Sequence, residues 1–167
     1  MSDILTDDQR EAIRARLAIG TIPVGLGDEL HACTVARINL ALNRGLTDSI
    51  PPCMSEVVGK WMIVVQDAMP PEMRNSQGWR EAAMDAAGTG REFEAERLAV
   101  ILEWMFDVVL PELQSVADAG GFGVEWRSMT KKRTAAAAAV AAEAARARAA
   151  EAARARAAAA ARAEAAR

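Results

Sequence analysis

Apolar residues along this chain recur at intervals of three and four, with no sustained alternation of apolar and polar positions, so the pattern predicts helices and no sheet. Thr6, Asp7, Asp8 and Gln9 have the form of a capping box, which opens a first helix running to about Ile19 and stopped by Gly20. Gly20 to Gly27, with three glycines and Pro23, reads as a turn-rich connection. Asp28 is placed to cap a second helix on which Leu30, Cys33, Val35, Ile38 and Leu42 fall largely at helical spacing, ending between Asn43 and Gly45. Pro51 and Pro52 suit the first turn of a third helix, where a missing amide costs little. That helix turns Met54, Val57, Val58, Trp61, Met62 and Val65 toward a core and stops near Met69, before Pro70 and Pro71. Gly59 in its middle, unfavourable by about 1 kcal/mol relative to alanine, predicts a close helix crossing.

Ser76 caps a short fourth helix containing Trp79 and Met84 and ending at Gly88 to Gly90. A fifth, from about Arg91 to Val109, carries Phe93, Leu98, Ile101, Leu102, Met105 and Val109, widened by Trp104 and Phe106, and is expected to be the central core helix. Pro111 bends or restarts it, and Glu112 to Ala119 continue to Gly120 and Gly121. A final helix begins near Gly123 or Val124, packs Trp126 and Met129 on the body, and runs outward. Unbroken to Arg167, it would hold about 44 residues and span about 66 Å.

The reading is all-α: a compact multi-helix bundle at residues 1–130 with a long Ala/Arg-rich C-terminal helical extension at 131–167. From Thr134 to Arg167 the chain has 23 alanines, six arginines and three glutamates, and the unit EAARARAA occurs twice, at Glu143 to Ala150 and Glu151 to Ala158. Alanine and arginine make such a segment helical with little tertiary support, and Glu143 with Arg146 and Glu151 with Arg154 are spaced to pair. Apart from Val140 it has no large apolar residue, and its charges are distributed around the helix. That excludes a leucine-type coiled coil and a membrane-surface helix.

The net charge of -3 hides a division: residues 131–167 carry +6 and residues 1–130 carry -9. An acidic body with a basic tail favours an anionic partner for the tail, or docking of the tail on an acidic body. Cys33 and Cys53 are the sole cysteines, and the charged opening Met1 to Arg16 does not read as a secretory segment, so a cytoplasmic location is expected. Leu98 to Leu110, the longest apolar stretch, is interrupted by Glu103 and Asp107 and is too short for a membrane span.

Catalytic constellations are sparse. His31 is the single histidine, and with Asp28 it forms an Asp-x-x-His pair on one face of the expected second helix, a weak metal candidate; a di-iron bundle would need two Glu-x-x-His elements and zinc three or four ligands. The glycine clusters lack the Gly-Lys-Ser/Thr of a phosphate loop, and no cofactor is expected. Carboxylates of the fifth helix are the remaining enzymatic option: Glu92 with Glu96, or Glu96 and Glu103 with Asp107, share faces and could hold a divalent cation over a phosphate-containing small molecule. A solvated face with Arg97 paired to a nearby glutamate is the plainer reading of the same residues. The four tryptophans, Trp61, Trp79, Trp104 and Trp126, have core packing as their default role.

The segments IGTIPVGLGDELHACTVARINLAL and IPPCMSEVVGKWMIVVQDAMPPEM, within Ile19 through Met73, resemble a group of bacterial or phage proteins that join a helical body to an alanine- and arginine-rich tail. The resemblance implies that architecture and no particular activity. The expected function is a non-enzymatic helical interaction or assembly protein, with a protein partner or a second copy as its ligand. The acidic body supplies the docking surface, and the tail makes a second contact through Lys131, Lys132, Arg133, Arg146, Arg148, Arg154 and Arg156. The alternatives are the small metal-dependent enzyme above, or a nucleic-acid accessory protein using the tail, which lacks the aromatic side chains that stack on bases.

Overall fold

A computed structural model describes residues 5–165, so the last residues of the tail, including Arg167, lie outside the described part. The described residues are all-α and end in a long helix. They form two compact units, Met1–Leu98 and Ala99–Arg167. Contacts therefore thin at 98/99 and not at the 130/131 change in composition, because the segment after Leu98 packs with the helices that follow it.

In the first unit, α1 (Asp7–Ala18) opens with the expected capping box: Thr6 Oγ1 accepts the Gln9 amide at 3.2 Å and Gln9 Oε1 accepts the Thr6 amide at 3.0 Å. Ile13 and Leu17 turn inward. At its other end the unsatisfied carbonyls meet Arg37, which projects from α2 (Thr34–Ala41) and is 2 % exposed. Arg37 Nε donates to Ala32 O at 2.8 Å, one terminal nitrogen donates to the carbonyls of Leu17 (3.3 Å) and Ile19, and the other donates to Thr21 O at 2.6 Å. A helix C-terminus carries about half a negative charge and free carbonyl acceptors, so it can hold a buried cation without a carboxylate. Burial, then the neighbouring Arg80 and Arg16, lowers the Arg37 pKa from its ordinary value. An arginine remains charged under such pressure.

Two helix starts differ from expectation. Asp28 caps no helix: its carboxylate accepts the amides of Leu30 (2.8 Å) and His31 (2.7 Å) in a local turn. Gly27 and Ala32 form an isolated bridge, with Cys33 N donating to Leu26 O at 2.9 Å. Gly27 has φ +77, and a Cβ there would fall 1.8 Å from His31 O, so only glycine closes this return. The second helix thus begins at Thr34, with the Cys33 sulfur accepting the Ala36 amide. Likewise Pro51 and Pro52 lie before the third helix: Met54 N donates to Pro51 O, and α3 (Glu56–Ala68) starts behind Ser55, whose hydroxyl accepts the Val58 amide. Gly59 marks a close approach but not the expected helix crossing: its neighbours are the side chains of Ile50 and Met54 in the segment before α3, which a Cβ would meet at 2.7 and 2.9 Å.

A short α4 (Pro71–Arg74) and α5 (Gln77–Ala87), capped by Ser76, complete the packing. The core gathers Ile13, Leu17, Ile22, Val35, Ile38, Met54, Met62 and Trp79. A buried polar chain runs through it: Trp79 Nε1 donates to Thr34 Oγ1 at 2.9 Å, and Thr34 N donates to Gln66 Oε1 at 2.8 Å.

The expected central helix is not one. Phe93 adopts φ +61, so α6 begins only at Glu94 and runs to Trp104 with no buried side chain; Leu98, Val100, Leu102 and Trp104 are exposed. Its apolar residues lie around the helix instead of along one stripe, and α1, α2, α3 and α5 already supply the core of the first unit. The chain continues as a π turn, Met105–Val109, with Leu110 N donating to Met105 O. Pro111 explains the widening: its ring would meet the carbonyl four residues back and it offers no amide to that carbonyl.

The second unit continues with α7 (Leu110–Glu112), α8 (Gln114–Ala119), α9 (Gly123–Lys132) and α10 (Ala135–Ala165). The final helix is broken, not continuous. Arg133 takes the left-handed conformation at φ +53, its amide capping α9 on Met129 O, and Thr134 Oγ1 accepts the Ala137 amide at the start of α10. Helix α10 then packs back along α9, with Met129, Ala137 and Ala141 buried among Phe106, Leu110, Trp126 and Ala138. Arg148 Nε reaches Gly121 O at 3.3 Å, at the far end of α9. Only the part beyond Arg148, about 24 Å of helix, extends past that partner.

Replacing Arg37 by alanine leaves several buried carbonyls without donors and is expected to cost about 3 kcal/mol in urea unfolding, with lysine recovering little because a point charge cannot serve the divergent acceptors.

Candidate functional site

The connection after α1 is the part of the first unit in which side chains from five helices converge on one stretch of main chain. Ile22 is buried and anchors it. Asn75 Oδ1 accepts the Ile22 amide at 2.6 Å, and Arg74 Nε donates to Ile22 O at 2.9 Å. Gln66 Nε2 donates to Pro23 O at 3.2 Å, and Asp67 Oδ1 accepts the Gly25 amide at 2.9 Å. Arg37 holds Ile19 and Thr21, Arg80 donates to Gly20 O at 3.3 Å, and Arg16 donates to Glu29 O. A loop so tethered loses little further entropy when it meets a partner. What it shows to solvent is apolar: Ile19, Val24, Leu26 and Leu30 are 48, 58, 37 and 65 % exposed. Asp28 and Glu29 add negative charge beside them.

Concave surface near these elements is shallow. A cleft of about 360 Å³ between α1 and α5 is lined by Arg14, Gln77, Arg80, Glu81, Met84 and Asp85 among others. A hollow of about 350 Å³ is lined by Met69, Glu72, Met73, Ser76, Gly78 and Trp79.

The residues singled out as metal candidates do not converge. Asp28 and His31 share a turn, not a helix face; His31 Nδ1 lies 3.4 Å from Asp28 Oδ1, both exposed. The Asp28 carboxyl is held below the ordinary range chiefly by the amide of His31, then by that of Leu30. Glu92 precedes the left-handed Phe93 and shares no helix with Glu96. Glu96 and Glu103 are exposed on α6, and Asp107 is drawn by the π turn into an ion pair with Arg133. Among the described residues no group of three or more His, Cys, Asp or Glu is placed to hold a metal. Arg97 pairs with no glutamate carboxylate in the expected way: it donates to the carbonyls of Thr89 (2.7 Å), Gly90 and Glu92.

The tail residues divide into two groups. Arg133 is engaged with Asp107 and lies over the Phe106 ring at 5.6 Å, and Arg148 pairs with Gly121 O and with Glu151 at 3.1 Å. Lys131 and Lys132, in the last turn of α9, and Arg146, Arg154 and Arg156, on α10, are exposed. Two of the four tryptophans carry identified polar roles: Trp79 is the buried donor to Thr34, and Trp126 Nε1 donates to Leu110 O at 2.8 Å.

Glu94 escaped the sequence reading. Its two oxygens accept the Ser55 hydroxyl (2.9 Å) and the amides of Glu56 (2.8 Å) and Val57 (3.0 Å), capping α3 from 38 residues away. Only its place after the Gly88 to Gly90 stop hinted at a return of the chain. Comparison with protein-family models, with curated proteins and with solved structures finds no match.

Burial raises the Glu94 pKa, but the Val57 and Glu56 amides and the Ser55 hydroxyl outweigh it and leave the carboxyl below its ordinary value. Its contribution to stability is therefore complete above the unfolded glutamate range, about pH 4.3, and lost as pH falls through the lower folded value. Glu94→Gln is expected to lower stability by about 1 kcal/mol at pH 7, with the gap to the unmodified protein closing below about pH 4 in urea unfolding series.

Proposed function

We propose that this protein is a non-enzymatic helical interaction or assembly protein, whose acidic body docks a protein partner while the basic helical tail makes a second contact. The observation that supports the reading best is the Ile19 to Leu30 loop, fixed by side chains from five helices and displaying four apolar side chains. Rigid exposed apolar groups are costly to keep in water and are the usual anchors of an interface. The division of charge between residues 1–130 and 131–167 adds a long-range attraction for a partner that meets both. The exposed part of α10 beyond Arg148 offers Arg154 and Arg156 for that purpose. A reducing cytoplasm suits the buried thiols Cys33 and Cys53. No helix among the described residues is long and apolar enough to cross a membrane.

The double variant Val24→Ser, Leu30→Ser removes exposed apolar groups without touching the tethers. It is expected to unfold within about 0.5 kcal/mol of the unmodified protein. Quantitative pull-down of the partner, or light scattering where that partner is the chain itself, is expected to show association weakened at least about tenfold. Equal association by both proteins would refute the loop as the docking element.

A further inference from the structure

The turn between α9 and α10 is strained in a way that its own sequence relieves. Lys131, Lys132, Arg133, Thr134 and Ala135 contain neither glycine nor proline, and each residue is compatible with a continuous helix. Yet Arg133 stands at φ +53, at a position that helix ends usually give to glycine because a Cβ is disfavoured there. The corner comprises only Arg133 and Thr134 between α9 and α10. It is held by the ion pair of Arg133 with Asp107, the stacking of its guanidinium over Phe106, and the Thr134 cap of α10. The surface that α10 covers is specific: Met129 and the flanking Phe106, Leu110 and Trp126 receive Ala137, Ala138 and Ala141, and Gly121 O receives Arg148.

We infer that this corner is a hinge for exchange of α10 between two copies of the chain. When Arg133 passes to the right-handed region, α9 and α10 join into one helix of about 43 residues, spanning about 65 Å. The face of α9 is then uncovered, and the occupant that fits it is α10 of a second copy, since the packing of Ala137, Ala138 and Ala141 on Met129 and its neighbours and the bond from Arg148 to Gly121 O re-form between two chains, while the Thr134 cap and the left-handed turn are given up. Both left-handed arginines are relieved in the exchanged dimer while the buried groups stay the same. Short strained hinges favour exchange for this reason. The dimer uses residues of the second unit only. It therefore goes beyond the docking loop of the first unit, and it stands or falls separately from it.

The test uses the full chain. Ser128 and Val140 line one hollow between α9 and α10. Cysteines are placed at these positions (Ser128→Cys, Val140→Cys), and equal amounts of ¹⁴N and ¹⁵N protein are mixed, equilibrated at high concentration, and treated with a short bis-maleimide. The dimer fraction is isolated and its 128–140 peptides are analysed by mass spectrometry. Mixed-isotope 128–140 links are expected. Sedimentation of two further variants checks the hinge: Arg133→Gly, which accepts the left-handed conformation, is expected to weaken the dimer by at least about tenfold, and Arg133→Ala, which favours continuous helix, to strengthen it. The Val24→Ser, Leu30→Ser protein is expected to keep the exchanged dimer, so a failure of the loop reading is distinguishable from a failure of this one. Strictly monomeric protein, including Arg133→Ala at high concentration, or a dimer carrying only same-isotope links, would overturn the proposal.

Discussion

Everything in the first unit leans on one buried guanidinium. Where α1 ends, its last carbonyls need donors, and the following loop supplies main chain but no helix to continue them. Arg37 answers both needs at once, joining the carbonyls of Leu17, Ile19, Thr21 and Ala32 into a single charge-assisted node. The half-negative end of the helix replaces the carboxylate that a buried cation ordinarily demands. Because the node fixes both the exit of α1 and the entry to α2, it also determines where the loop between them stands.

The same logic recurs at longer range. Glu94 caps α3 with a carboxylate from the start of α6, Arg74 and Asn75 serve Ile22, and Gln66 links Thr34 to Pro23. Long polar side chains thus satisfy the main chain where irregular segments leave it unpaired. The fold consumes these polar groups in holding itself. The apolar residues of the loop remain outside, which reverses the expected division of labour between polar surface and apolar interior.

The second unit is built differently. Its core is small, made from Met129 and two alanines with aromatic and leucine neighbours, and its longest helix has little to bury. Alanine gives α10 its helicity and denies it a strong grip, so the hairpin closes over a shallow contact and needs the Arg133–Asp107 pair to hold the corner. The π turn ahead of Pro111 carries Asp107, the acidic member of that pair.

Local signals were sufficient for the all-α class, the capping box of α1, the Ser76 cap of α5, the stops of both helices, the end of α3 before Pro70, and the helical nature of the tail. Each is a matter of propensity and nearest neighbours, written in a few adjacent residues. What sequence pattern could not determine are the features that depend on distant partners. Asp28 turns its carboxylate to the wrong amides for a helix cap because Gly27 and Ala32 meet; Glu94 caps α3 from 38 residues away; and α10 folds back because the face of α9, together with Asp107 and Phe106, stabilises one left-handed arginine. Helix formation is decided within a turn or two of the chain, whereas the direction a helix takes is decided by what it can bury and by which unpaired groups it meets.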